Sequence, residues 1–288
     1  MRLATLQTPQ GPRAVLRYQD YYFDINDAEP TLPNSVREWI AGGSELYRKI
    51  IEVAKRQGTP MSPVKDASYH APILDPQKII CIGLNYSDHA KEQNLQPPKE
   101  PVVFSKFVTT LIGHGQNIEL PSVSNKVDYE AELVVVIGKG GRMISEADGM
   151  DHVAGYMVGH DVSARDWQKE KDGKQWLCGK SFDTFAPTGP EFITADEVKD
   201  PHQLPIRLKL NGEVMQESNT NQLIFSIPKL IAYISQVFTL TPGDLIFTGT
   251  PPGVGDARKP PVYMKPGDVA EVEIEGLGQL RNPVVQGR

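Results

Sequence analysis

Cysteine is scarce: Cys81 and Cys178 are the only two in 288 residues. Two such residues make no disulfide framework, and both are expected to be reduced. The opening "MRLATLQTPQGPR" shows no secretory leader, so the expected compartment is the cytoplasm. Long apolar runs are missing too; no segment approaches the roughly 20 residues that cross a bilayer. Basic excess is also lacking. A formal charge of −6 argues against nucleic acid or an anionic membrane as partner, yet leaves room for a local Lys/Arg pocket for an anionic substrate. Neither a regular βαβ alternation nor a fixed-period repeat is present. What remains is ordinary globular material, 39% hydrophobic and 23% charged, long enough for one large domain or a large domain with a small companion.

The first residues differ in texture from the rest. "RLATLQ" and "AVLRYQDYYFDI" read as strands around a "TPQGPR" turn, and "SVREWIAGGSELYRKIIEVAKRQG" as a helix interrupted at Gly42 and Gly43. The Pro-rich "TPMSPVKDASYHAPILDPQ" reads as a linker. This sets an expected small N-terminal α/β domain over residues 1–72 and a larger unit over 73–288. In the larger unit "KIICIGL", "AELVVVIG" and "VAGYMVGHD" are buried-strand runs, and "IRLKLNGEVMQ" carries an Asn211-Gly212 hairpin signal. "SIPKLIAYISQVF" is a helix that tolerates Pro228 in its first turn, while "PGDLIFTGT" and "PGDVAEVEIEG" are strands behind Pro-Gly-Asp turns. The fold class expected is mostly β of the α+β kind.

Glu130 and Glu132 open the run that enters the core at Leu133. In a strand they share a face, ~7 Å apart along it. There they repel unless a cation or a shared proton intervenes, or else they lie at the wet end of the strand. Asp161 ends another strand and reads equally as a helix N-cap. Three acids at strand ends, without Cys or paired-His ligand spacing, suit a hard divalent ion: Mg²⁺ or Mn²⁺, with Ca²⁺ also compatible. His160, next to Asp161, faces the other side of its strand and reads as a packed histidine. His89 and Glu92 lie three apart, so on a helix they form either a base fixed by a carboxylate or a solvated surface pair. Lys180 sits among small and aromatic residues, as a pocket-facing lysine would. "GKS" is not a phosphate loop, because Lys174 stands where that motif needs Gly. "TGTPPGVG" lacks dinucleotide spacing and is either a tight loop or a place where backbone approaches a ligand.

In their order, "GLNYSDHAKE", "YEAELVVVIGK", "GHDVSARDWQ", "GKSFDTFAPTGP" and "DLIFTGTPPGVG" resemble the fumarylacetoacetate hydrolase family, from about Lys78 to the C-terminus. "KEPVVFSKF", "KQWLCGKSFDTFAP" and the small leading domain narrow the resemblance to one branch of it. The resemblance implies a mixed β-sandwich roll with a divalent metal at one end, in a homodimer. It implies Glu130, Glu132 and Asp161 as metal ligands, and His89 with Glu92 as a water-activating dyad on a segment that covers substrate. Lys180 then stands beside the metal, and Arg165, Gln168 and Thr250 contact substrate. One departure is that "CIGLN" offers no further aspartate ligand upstream of His89, where some relatives have one.

The implied substrate is a small oxo-acid that reacts through an enolate. The leading expectation is C–C bond hydrolysis of an acylpyruvate or β-diketo acid. Oxaloacetate tautomerisation, toward which this branch leans by resemblance, or decarboxylation is the first alternative. A dienedioate isomerase or hydratase, or a non-catalytic metal-binding protein, stands further off.

Overall fold

Alternating and β-branched segments dominate the chain, and the strands they form pair across long sequence separations. The computed structural model describes residues 1–57, 60–92 and 96–287. Gly58 and Thr59, where the first helix should meet the linker, lie outside the described residues, as do Gln93 and Asn94.

The protein is mostly β. An 11-stranded mixed sheet runs in the order Pro60–Pro63, Tyr21–Asp24, Gly11–Tyr18, Arg2–Thr8, Ala186–Thr194, Val153–His160, Ala131–Ile137, Leu245–Phe247, Ile79–Gly83, Val102–Lys106. Leu111–Ile112 pairs alongside Ala186–Thr194. The N-terminal strands thus continue the same sheet, through the pairs Arg2↔Ile193 and Leu3↔Phe192. The expected linker begins as an edge strand, Pro60–Pro63, paired with Tyr21–Asp24. An edge is where proline can serve, because one side of the strand needs no donors. A 5-stranded sheet, Glu213–Asn219, Pro205–Leu210, Val269–Ile274, Gly278–Gln286 and Ile118–Leu120, packs against the first.

Two large apolar cores result, beside a small cluster of Ala4, Leu6, Val15, Tyr22 and Tyr69 on the N-terminal strands. One lies between the sheets and the Ile227–Val237 helix; the other lies beneath the interrupted helix, Val36–Ala41 and Gly43–Gln57. Ala131–Ile137 serves both. Leu133, Val135 and Ile137 enter the first core, while Val134 and Val136 enter the second. A strand covered on both faces reads as an unbroken apolar run, which explains "LVVVI". Asn211 and Gly212 take φ of 54° and 83° in the hairpin turn, as their types allow. Among the described residues no helix is long and apolar enough to cross a membrane.

Strand direction gathers the chemistry. Leu245–Phe247 runs parallel to Ile79–Gly83 and antiparallel to Ala131–Ile137, which runs antiparallel to Val153–His160. The C-terminal ends of three strands therefore meet the start of the fourth. Residues 83–92, 130–132, 161–165 and 248–256 emerge at one end of the sheet.

Candidate active site and metal centre

Glu130, Glu132 and Asp161 present carboxylate oxygens that all lie within 4.8 Å of one another. The register explains the meeting: Glu132 sits opposite Gly159, and the Asp161 N–H donates to the Glu130 carbonyl at 2.9 Å. Neither glutamate is at a wet strand end, since they are 6% and 1% exposed. Asp161 is not a cap either. Ser163–Ala164 follows it as a short strand, then one turn of π-helix at Asp166–Glu170, while its carboxylate meets two lysines.

Three cations are fixed among these acids. Lys180 Nζ lies 2.7 Å from both Glu130 Oε2 and Asp161 Oδ2. Arg165 Nη2 donates to Glu130 Oε1 at 2.6 Å, and its Nε to Asp128 Oδ2 at 2.8 Å. Lys106 Nζ lies 2.7 Å from Asp161 Oδ1 and also donates to the carbonyls of Val162, Lys180 and Phe185. Four carboxylates thus face three cations, and the unmatched one is Glu132. Its pairing is a hydrogen bond from the Gly249 N–H at 2.7 Å.

The protonation equilibria follow this division. Burial opposes ionisation of Glu130, but Lys180 and Arg165 outweigh it and hold its carboxyl far below the usual range. Burial, then the charges of Asp161 and Glu130, push Glu132 well above that range. Lys180 is raised: burial works against its charge, and Asp161 and Glu130 overcome it. In Lys106 burial prevails and the ammonium is weakened, despite Asp161. His160 pairs across the strands with Ala131, away from Glu132, and burial pushes it down to about 3. It is a neutral, packed side chain.

The site fits a hard divalent cation on its donor chemistry. Its converging donors are carboxylate oxygens, and one of the three, Glu132, has no side-chain cation paired with it. Mg²⁺, Mn²⁺ or Ca²⁺ suits such a set better than Zn²⁺.

His89 and Glu92 come together on the short Ser87–Glu92 helix, with His89 Nδ1 3.0 Å from Glu92 Oε2. Glu92 also accepts the Gly253 N–H, at 3.0 and 3.2 Å. This helix is tied down by hydrogen bonds from Ser87 to Gln222 and from Ser218 to Asp88. The loop "TGTPPGVG" is therefore a clamp for acids. Gly249 donates to Glu132, Gly253 to Glu92, and Gly255 and Asp256 to Asp128. Gly253 has φ of +99°, and a Cβ there would lie 2.1 Å from the Met215 carbonyl. Gly179, the glycine of "GKS", lets the Trp176–Lys180 helix approach the π-helical turn; a Cβ would meet the Gln168 backbone N at 2.7 Å.

A cavity of about 210 Å³ is lined by His89, Glu130, Glu132, Arg165, Gln168, Lys180 and Thr250, with Phe104, Trp176 and Leu84 on its apolar side. Of the nine candidate residues only Glu92 and Asp161 stand behind the wall. Glu92 is hydrogen-bonded to His89, and Asp161 to Lys180. Sequence reasoning missed Lys106, which nothing distinguishes from a surface lysine at a strand end. It also missed Asp128, although its place two residues before Glu130 continues the same alternation.

Comparison with known proteins follows this geometry. The family described as Fumarylacetoacetate (FAA) hydrolase C-terminal matches residues 78–285. A Bos taurus protein named "Oxaloacetate tautomerase FAHD2A, mitochondrial" is 50% identical over 99% of this chain and 92% of its own length. A fumarylacetoacetate hydrolase structure from Exiguobacterium antarcticum is 34% identical with a TM-score of 0.88, each chain covered completely. The structure of maleylpyruvate hydrolase from Sphingobium sp. SYK-6, in complex with manganese(II) and pyruvate, is 34% identical with a TM-score of 0.83, again with full coverage of both chains. One expectation is corrected here. The cytoplasmic placement does not stand, because several relatives 47–50% identical to this chain are mitochondrial by name. Two unpaired cysteines and an acidic net charge carry no compartment address.

Proposed function

This chain belongs to the fumarylacetoacetate hydrolase family and is an enzyme of it; from that premise we propose that it interconverts the keto and enol forms of oxaloacetate with the aid of Mg²⁺ or Mn²⁺. The observation that carries the reading is the unmatched Glu132 carboxylate beside Glu130, Asp161 and Lys180, in the same small cavity as His89. The relatives' names favour tautomerisation over C–C hydrolysis. The cavity's size agrees, because about 210 Å³ lies below the ~300–1,000 Å³ typical of sites for drug-sized ligands.

Glu130, Glu132 and Asp161 would hold the cation, which when bound stabilises negative charge on the oxygens of the oxo-acid. Lys180 places a second positive charge at the same edge of the cavity, and a preorganised donor of this kind typically contributes about 3–4 kcal/mol to the transition state. His89, its ring orientation fixed by Glu92, removes a proton from the CH₂ carbon; a proton returned to the oxo oxygen completes the enol. No bond between heavy atoms breaks. Arg165 holds Glu130, Asp128 and Gln168 in register and gives the wall its positive charge.

Hydrolysis of an acylpyruvate is the second reading. It is supported by the His89–Glu92 pair, which suits a water as well as a carbon acid, and by the likeness to a maleylpyruvate hydrolase. Following enol absorbance in the ultraviolet with oxaloacetate, then with acylpyruvates, in the presence of Mg²⁺ separates the two. Rapid loss of the oxaloacetate enol with acylpyruvates left intact supports tautomerisation; the reverse supports hydrolysis.

A further inference from the structure

Gln216 is buried, 1% exposed, on the Glu213–Asn219 strand of the smaller sheet, and it is not among the residues that line the cavity. Its amide is nevertheless oriented without ambiguity. The Ala131 N–H can only donate, so it takes Oε1, at 2.8 Å. The Pro251 carbonyl can only accept, so it takes Nε2, at 2.8 Å. The same Nε2 then donates to Thr250 Oγ1 at 2.9 Å. A hydroxyl has one hydrogen and accepts through its lone pairs. Because Thr250 accepts from Gln216, its own hydrogen is left to donate elsewhere, and Thr250 lines the cavity.

The neighbouring polar wall follows the same rule. Arg165 Nη1 donates to Gln168 Oε1 at 2.9 Å, which fixes the amide with its oxygen on Arg165 and leaves the NH₂ hydrogens to donate elsewhere. Two uncharged side chains of the cavity thus have an acceptor already engaged, Thr250 by Gln216 behind the wall and Gln168 by Arg165 beside it, and each has hydrogens left to donate. A cavity dressed this way prefers an anionic oxygen.

We propose that Gln216 is a positioning residue that makes the Thr250 hydroxyl an obligate donor to an anionic oxygen of the bound oxo-acid. The inference rests on reading this cavity as the oxo-acid site, and it extends that site into the second sheet. Gln216→Glu keeps an acceptor for Ala131 N–H but places a second acceptor against Thr250, so the hydroxyl turns away from the cavity. Gln216→Met removes the amide and leaves the Pro251 carbonyl to compete for the Thr250 hydrogen; it serves where the buried charge of the first variant prevents folding.

The test is calorimetric binding of oxalate, in saturating Mg²⁺, to wild type, Thr250→Val, each Gln216 variant, and the double variants. A hydrogen bond to a charged group implies that Gln216→Glu weakens oxalate binding about 10- to 100-fold, and that Gln216→Met does so less strongly. In the Thr250→Val background both losses should shrink to under about threefold, with Mg²⁺ affinity unchanged throughout. Equal weakening in both backgrounds, no weakening at all, a parallel loss of Mg²⁺ affinity, or a wild type that fails to bind oxalate overturns the proposal. Oxalate binding reads without turnover. A wild type that binds oxalate but leaves oxaloacetate untouched therefore defeats the tautomerase reading, while this cycle still decides the role of Gln216.

Discussion

Glu92 bridges His89 and Gly253: one carboxylate accepts from the Nδ1 side of the imidazole at 3.0 Å and from the loop N–H at 3.0 Å. The pairing fixes which edge of the ring is available to the cavity, so His89 and the Gly-rich loop are one unit. His89→Ala should lower turnover of oxaloacetate about 10²–10⁴-fold and leave Mg²⁺ affinity intact. Glu92→Gln should lower it less, because the amide still orients the ring. Steady-state rates beside calorimetric metal titration check both; an undiminished rate in the His89 variant assigns the base elsewhere.

Glu132 is the carboxylate without a cation. Glu132→Ala should weaken Mg²⁺ or Mn²⁺ binding by more than the ~10–100-fold typical of losing a group behind a metal ligand. Activity should disappear with it. Metal affinity equal to wild type would remove Glu132 from the coordination sphere.

The raised Glu132 equilibrium carries a sign. In the metal-free protein its carboxyl holds a proton above 4.5, its unperturbed value. Its contribution to stability is therefore fully present below about 4.5 and is lost as pH rises toward the folded value. Metal-free protein should lose thermal stability over that rise, and added Mg²⁺ should restore it. Mg²⁺ uptake should also release a proton, because only the ionised carboxylate ligates. Titrations in buffers of different ionisation enthalpy measure that proton directly; a buffer-independent heat would contradict it.

Gly253 combines φ of +99° with a Cβ position 2.1 Å from the Met215 carbonyl. Gly253→Ala should destabilise the protein by about 1–3 kcal/mol and pull the loop from Glu92, lowering turnover. Thermal denaturation and rate measurements together test this. A lower melting temperature with unchanged turnover would separate the loop from the catalytic pair.

Legibility in the sequence followed the range of the interactions. Period-2 runs, the Asn211-Gly212 turn and the interruption at Gly43 are local, and the sequence alone places them. The three acids could be grouped by their type and their places at strand ends. The pairing of Leu3 with Phe192 could not be read, because register between distant strands depends on a face that forms only on folding. Lys106 and Gln216 were hidden for a related reason. Their importance lies in what stands around them, Asp161 and three carbonyls in one case, Thr250 and Ala131 N–H in the other. The loop clamp was half visible: glycines announce close approach, but not that the approaching groups are the carboxylates of Glu132, Glu92 and Asp128.

The central claim is that one cation, seated on Glu130, Glu132 and Asp161, lets His89 move a proton on oxaloacetate. Decay of the oxaloacetate enol, followed with purified protein before and after metal removal by a chelator, tests it most directly. The predicted result is a decay far faster than in buffer with Mg²⁺ alone, abolished by the chelator and restored by Mg²⁺ or Mn²⁺. A decay no faster than the metal-containing buffer, or one indifferent to the chelator, would contradict it.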